Sequence, residues 1–306
     1  MAKRLWVALL STPAALIGCH SSSDGLSSDP PSSIEEVTSG GFQSPTDAVA
    51  SPDGKTLYFA AWDLQRQPTL FSVSTEARGA AAPIAAGDPL EAPIGLVLSC
   101  DGKTLYVADL GGEAGAILAM STDGGALAPL TATGLSRPGG LAMGPDCKSL
   151  FASGRLDDGT PAVFQIPVGG GDARVVYHGA PLVAPTGLHV DSQGVIWQMD
   201  HVAQDGAGQG VLFAIPSDGS KATIIASNLN MGTPGGVSLT AGGGVALVPT
   251  RDADGNAQLT SIDIATGKVE QLPAPMMVDP AGVRTARGAH VVALTDNGND
   301  KIFLGR

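Results

Sequence analysis

Pro93-Ile-Gly-Leu-Val-Leu-Ser-Cys-Asp-Gly-Lys-Thr-Leu-Tyr-Val-Ala-Asp109 decides the fold, because the chain repeats it. The phrase stands almost intact as Pro45-Thr-Asp-Ala-Val-Ala-Ser-Pro-Asp-Gly-Lys-Thr-Leu-Tyr-Phe-Ala60. It returns worn down at Pro138-Gly-Gly-Leu, Pro185-Thr-Gly-Leu, Pro234-Gly-Gly-Val and Pro280-Ala-Gly-Val. The six prolines are 48, 45, 47, 49 and 46 residues apart, a period that marks one supersecondary unit repeated along the chain. In the second copy Ile94 to Ser99 is an apolar run, Asp101-Gly102 a tight-turn pair, and Thr104 to Ala108 a β-branched and aromatic strand. Ala116 to Ser121 and Ala126 to Thr131 supply two more strands around Asp123-Gly124. Six four-stranded antiparallel units of this kind predict an all-β fold, a six-bladed β-propeller over residues 34–306.

The ends of the repeat fit each other. The chain stops at Arg306, after the third strand of the sixth unit, while Ile34 to Pro45 aligns without a gap on Leu127 to Pro138, the fourth strand of the second unit and its exit. The N-terminal strand is therefore expected to complete the last blade and close the ring, removing the open sheet edge. Tyr58, Tyr106, Phe151 and Trp197 recur on the second strands and are expected between blades. Composition agrees with this reading. The 306 residues include 42 Gly and 22 Pro, too many for a helical fold in which each interior Gly or Pro costs about 1 or 3 kcal/mol. A net charge of −12 argues against nucleic acid as a partner.

Ahead of the repeat lie a short basic segment (Lys3, Arg4) and an apolar stretch, Leu5 to Ile17, of 13 residues, too short to span a bilayer as a helix and suited to an export signal. It ends in Leu16-Ile-Gly-Cys19, which resembles the bacterial lipobox. That resemblance implies a signal peptide over residues 1–18 and an acylated Cys19 as the membrane anchor. With His20 rather than Asp after the cysteine, it implies a cell-envelope lipoprotein of the outer membrane. Residues 19–33, rich in Ser and Pro, read as a flexible tether. Export also suggests that Cys100 and Cys147, in the first hairpin turns of neighbouring blades, form a disulfide.

The Ser51-Pro-Asp-Gly-Lys-Thr-Leu-Tyr and Asp101-Gly-Lys-Thr-Leu-Tyr-Val-Ala-Asp phrases resemble those of the six-bladed TolB-like superfamily, which includes NHL-repeat and senescence-marker-protein/gluconolactonase propellers. The gluconolactonase branch implies a channel cation held by Glu, Asn and Asp, one Asn following a blade-opening proline. Here those positions are Thr46, Ile94, Gly139, Thr186, Gly235 and Ala281, with Asp47 one residue on.

The loops between second and third strands carry most of the acidic groups and are expected at one mouth of the channel. Asp200, His201, Asp252 and Asp296 are the ligand-binding residues this pattern suggests. Asp252, Asp254, Asp296 and Asn297 offer oxygen ligands for Ca2+, and His201 beside Asp200 is a base with a carboxylate neighbour. An inner-strand column reads Val49, Val97, Ala142, His189, Ser238, Arg284. Two functions follow: a lipid-anchored envelope module binding a protein or glycan, or a lactonase-like hydrolase or lyase using a small channel site.

Overall fold

The computed structural model describes residues 29–202, 209–233, 235–274 and 276–306. The expected signal peptide, Cys19 and most of the expected tether lie outside the described residues. Six four-stranded antiparallel sheets run in chain order through residues 42–86, 93–130, 141–178, 185–230, 238–273 and 280–305. The sixth takes its outer strand from Ile34–Ser39, which pairs antiparallel with Lys301–Gly305 in a register running from Ile34↔Gly305 to Ser39↔Lys301. The ring is closed by the N-terminal strand. Ala132–Thr133, after blade 2, pairs in parallel with Gly171–Asp172 of blade 3.

The core is divided into layers between blades. Leu96, Leu105 and Val107 of blade 2 meet Val49, Ala60 and Leu70 of blade 1, and Trp197, Met199 and Leu212 of blade 4 meet Val237, Ala246 and Val248 of blade 5. The closing seam between blades 6 and 1 holds the aromatic triad Phe42, Phe59 and Phe71, with centroids 4.8–5.7 Å apart, against Val37, Ala293 and Ile302. Such stacked and edge-on rings add to the apolar burial that binds the blades face to face.

The glycine of each Pro-x-Gly phrase has a packing cause. A Cβ on Gly95 would lie 2.4 Å from the Gly139 carbonyl oxygen, and one on Gly187 would lie 2.4 Å from the Gly236 Cα. The inner strands converge on the axis too closely for a side chain. Blade 1 alone carries Asp47 at this position.

The first hairpins repeat to the atom in blades 1 and 2. Ser51 Oγ donates to Asp53, whose carboxylate accepts Lys55 N–H, and Ser99, Asp101 and Lys103 do the same. The turn then needs a left-handed residue, supplied by Gly54 and Gly102 at φ 72° and 71° but by Cys147 at φ 57° in blade 3. Cys147 is disulfide-bonded to Cys100, with Cα atoms 5.7 Å apart at a sequence separation of 47. Closing a loop of that length contributes about 4 kcal/mol on the chain-entropy account, against about 1 kcal/mol for a non-glycine residue held left-handed. The double variant Cys100→Ala/Cys147→Gly is expected to lose about 3 kcal/mol in urea denaturation. An unchanged midpoint would show that the crosslink does no more than offset the left-handed cysteine, about 1 kcal/mol.

Candidate functional site

The channel along the propeller axis is blocked at mid-depth by one ion pair. Arg284, from the inner strand of blade 6, sets Nε 3.0 Å and Nη2 2.9 Å from Asp47 Oδ2 of blade 1. Its Nη1 crosses the axis to the carbonyls of Leu141 (2.6 Å, blade 3) and Leu188 (3.4 Å, blade 4). Asp47 also accepts the backbone N–H of Ala48 and of Leu96 in blade 2. Both side chains are buried, at 8% and 4% exposure, and one contact cluster thereby ties five blades together. It leaves two blind bowls, one at each mouth.

The bowl on the side of the first hairpins has a volume of about 450 Å³, and the whole column Val49, Val97, Ala142, His189, Ser238 and Arg284 lines it. Ser238 Oγ accepts Thr285 N–H at 2.9 Å and lies 3.4 Å from His189 Nδ1. The same hydroxyl lies 3.5 Å from the Leu239 carbonyl, so it donates either there or to Nδ1, according to the imidazole tautomer. Two hydroxyls in the same wall, Thr240 Oγ1 and Thr285 Oγ1, have no hydrogen-bond partner among the described residues. Arg287 of blade 6 reaches over the mouth to the Cys100–Cys147 disulfide and the Gly144 carbonyl.

Burial pushes the His189 imidazole down from 6.5 to about 4, helped by the positive charges of Arg284 and Arg287 and opposed by Asp191. His189 is therefore neutral near pH 7. Because the unfolded chain takes up the proton first, this contribution to stability is complete above pH 6.5 and is lost as the pH falls toward 4. The loss amounts to about 3 kcal/mol. His189→Val, the repeat's own residue, is expected to remove that slope between pH 7 and 4 in chemical denaturation. Parallel curves for the two proteins would exclude it.

The loop-side bowl, of about 360 Å³, is lined by Thr46, Asp47, Ile94, Leu110, Arg137, Arg155 and Arg284 among others. None of the four acidic-mouth residues lines it. Asp200 and Asp296 are fully buried. Asp200 accepts the backbone N–H groups of Val183, Ala184 and Val202, and Asp296 those of Val278, Asp279 and Gly298. Asp109 does the same for Glu91, Ala92 and Gly111. Every second blade thus uses a carboxylate to gather the amides of its own incoming connector. These groups fasten the scaffold.

Asp252 closes its own turn through Asp254 N–H, Asn256 N–H and the Asn256 side chain, which hold its carboxyl below the usual range. Asn297 N–H donates to the Asp279 carbonyl. No group of three or more His, Cys, Asp or Glu among the described residues is placed to hold a metal ion. His201 has no partner on Nδ1 among the described residues, and burial lowers its pKa although Asp200 pulls the other way. Among the described residues no hydrogen bond joins His201 to Asp200, whose carboxylate is taken up by amides.

The solved structures that resemble this chain share its architecture. TolB from Acinetobacter baumannii superposes with a TM-score of 0.60 at 15% identity, covering 75% of this chain and 54% of that one. In fold, the chain is a six-bladed β-propeller. A chain of a nidogen/laminin complex gives 0.58 at 18% identity over 81% and 84% of the two chains. A structural genomics protein of unknown function from Bacteroides thetaiotaomicron VPI-5482 gives 0.63 at 12% identity over 92% and 72%. No protein-family description and no curated protein sequence matches the propeller. At such identities the likeness concerns the scaffold, and function rests on the side chains.

Proposed function

We propose that this propeller is a binding module displayed at the cell envelope on an acylated Cys19, and that a glycan seats in the hairpin-side bowl. The observation carrying the binding site is the mid-channel Arg284–Asp47 pair, which turns a pore into a blind bowl of about 450 Å³, within the range of small-ligand pockets. Its lining combines the apolar faces of Val49, Val97 and Ala142 with the hydroxyl and imidazole groups of Ser238 and His189. That mixture suits a sugar ring, which has an apolar face and many hydroxyls. The neighbour from the nidogen/laminin complex is a chain of this fold within a protein assembly, which supports a role in recognition. A lactonase-like reading gains no support from Asp200–His201, whose carboxylate is already occupied.

The test is a thermal-shift screen of cell-wall sugars against the wild type and His189→Ala. A sugar that raises the melting temperature of the wild type but not of the variant is the expected result. No shift with any sugar, or the same shift in both proteins, overturns the site. Mass spectrometry of the exported protein checks the anchor separately: an unmodified N-terminus away from Cys19 sinks the envelope assignment and leaves the bowl untouched.

A further inference from the structure

The two bowls differ in charge. In a chain of net charge −12, three of the ten arginines, Arg137, Arg155 and Arg284, line the loop-side bowl against a single carboxylate, Asp47. Arg284 and Asp47 neutralise each other. The other two charges remain. Arg155 donates to the carbonyls of Gly159 (2.7 Å) and Val183 (3.2 Å), which leaves its positive charge unmatched and three of its five N–H groups unused among the described residues. Arg137 is exposed, and its guanidinium makes no hydrogen bond or ion pair with any described residue. Its backbone is held at φ 49° in the connector leading to Pro138, with its N–H donated to the Ala114 carbonyl. The same cavity has apolar walls in Ile94, Leu110 and Pro185, each half-buried.

Guanidinium groups converging on a concavity recognise planar anions in a bidentate manner, and apolar walls favour an anion that carries a hydrocarbon body. We propose that the loop-side bowl binds a small organic carboxylate, its carboxylate on Arg137 and Arg155 and its apolar portion against Ile94 and Leu110. This site is separate from the hairpin-side bowl, since the Arg284–Asp47 pair stands between them. It neither requires the glycan reading nor replaces it.

Isothermal titration of the whole protein with benzoate and hexanoate tests the assignment, with benzamide and inorganic phosphate as controls. Both carboxylates are expected to bind, with benzamide and phosphate at least about tenfold weaker. Arg137→Gly relaxes a left-handed backbone, so it is expected to keep the melting temperature while weakening benzoate at least about tenfold. His189→Ala is expected to leave benzoate binding unchanged, which separates this site from the glycan bowl. Phosphate binding as tightly as benzoate would make this an inorganic-anion site and overturn the carboxylate assignment. Equal binding of benzamide would remove the role of charge. The absence of any heat with either acid, or full benzoate affinity in Arg137→Gly, overturns the proposal outright.

Discussion

Replacing Asp47 by glycine is expected to lower the stability of the propeller by about 3–5 kcal/mol, because it leaves Arg284 as a buried guanidinium without its counter-charge. Arg284→Val is expected to cost a similar amount, since the Asp47 carboxylate would then keep only the N–H groups of Ala48 and Leu96. The double variant Asp47→Gly/Arg284→Val should behave differently. It restores what the repeat carries elsewhere: glycine as at Gly95, Gly187 and Gly282, and valine as at Val49 and Val97. Buried ion pairs replaced on both sides are often neutral in stability, because the desolvation of two charges is removed together with their attraction. The double variant is therefore expected within about 1 kcal/mol of the wild type, a coupling that a double-mutant cycle in urea measures directly. Space freed on the axis opens to both bowls and fills with water, so no dry cavity penalises it. A double variant as unstable as the sum of the singles would show that Asp47 and Arg284 matter for separate reasons. The same variant joins the two bowls into one channel, so ligands of either bowl should lose affinity even though the fold survives.

The fold was legible in the sequence because a propeller says the same thing six times. The proline spacing, the Asp-Gly turns and the unpaired N-terminal segment all constrain one architecture, and each copy checks the others. The chemistry of the bowls is less legible. Asp200 and Asp296 stand in loops and look accessible, yet they are buried amide clamps. Their repetition was the warning: Asp109, Asp200 and Asp296 fall 16, 15 and 16 residues after the prolines of their blades. A residue locked to the repeat in this way serves the scaffold. The residues that line the bowls with chemistry are departures from the repeat. Asp47 stands where glycine is the rule, and His189, Ser238 and Arg284 stand where small apolar residues are. Arg137 occupies the left-handed position that blade 1 gives to Ser44. What no sequence pattern showed is that Arg284 crosses the axis to blades 3 and 4, because that contact depends on the channel radius.

Deleting residues 29–40 is expected to have the largest effect of all, because it reopens the ring. The lost strand, Ile34–Ser39, covers the outer edge of blade 6 and puts Val37, 5% exposed, into the seam with Phe42 and Phe71. Lys301 pairs with Glu36, and Arg306 exchanges backbone hydrogen bonds with Ser33. A buried valine contributes about 2 kcal/mol and each net backbone bond about 1, so the strand accounts for roughly 5 kcal/mol or more. That approaches the whole stability of a domain, about 5–15 kcal/mol. The truncated protein should therefore lose its cooperative transition and, with the edge of Lys301–Gly305 exposed, associate through it. A synthetic peptide of residues 29–40 added in trans distinguishes closure from a mere loss of contacts. It should restore the transition in a concentration-dependent way, since it binds only the folded ring, whereas a peptide with Val37→Asp should not. A truncated protein that melts at the wild-type temperature without the peptide would mean that five blades and three strands already hold the ring shut.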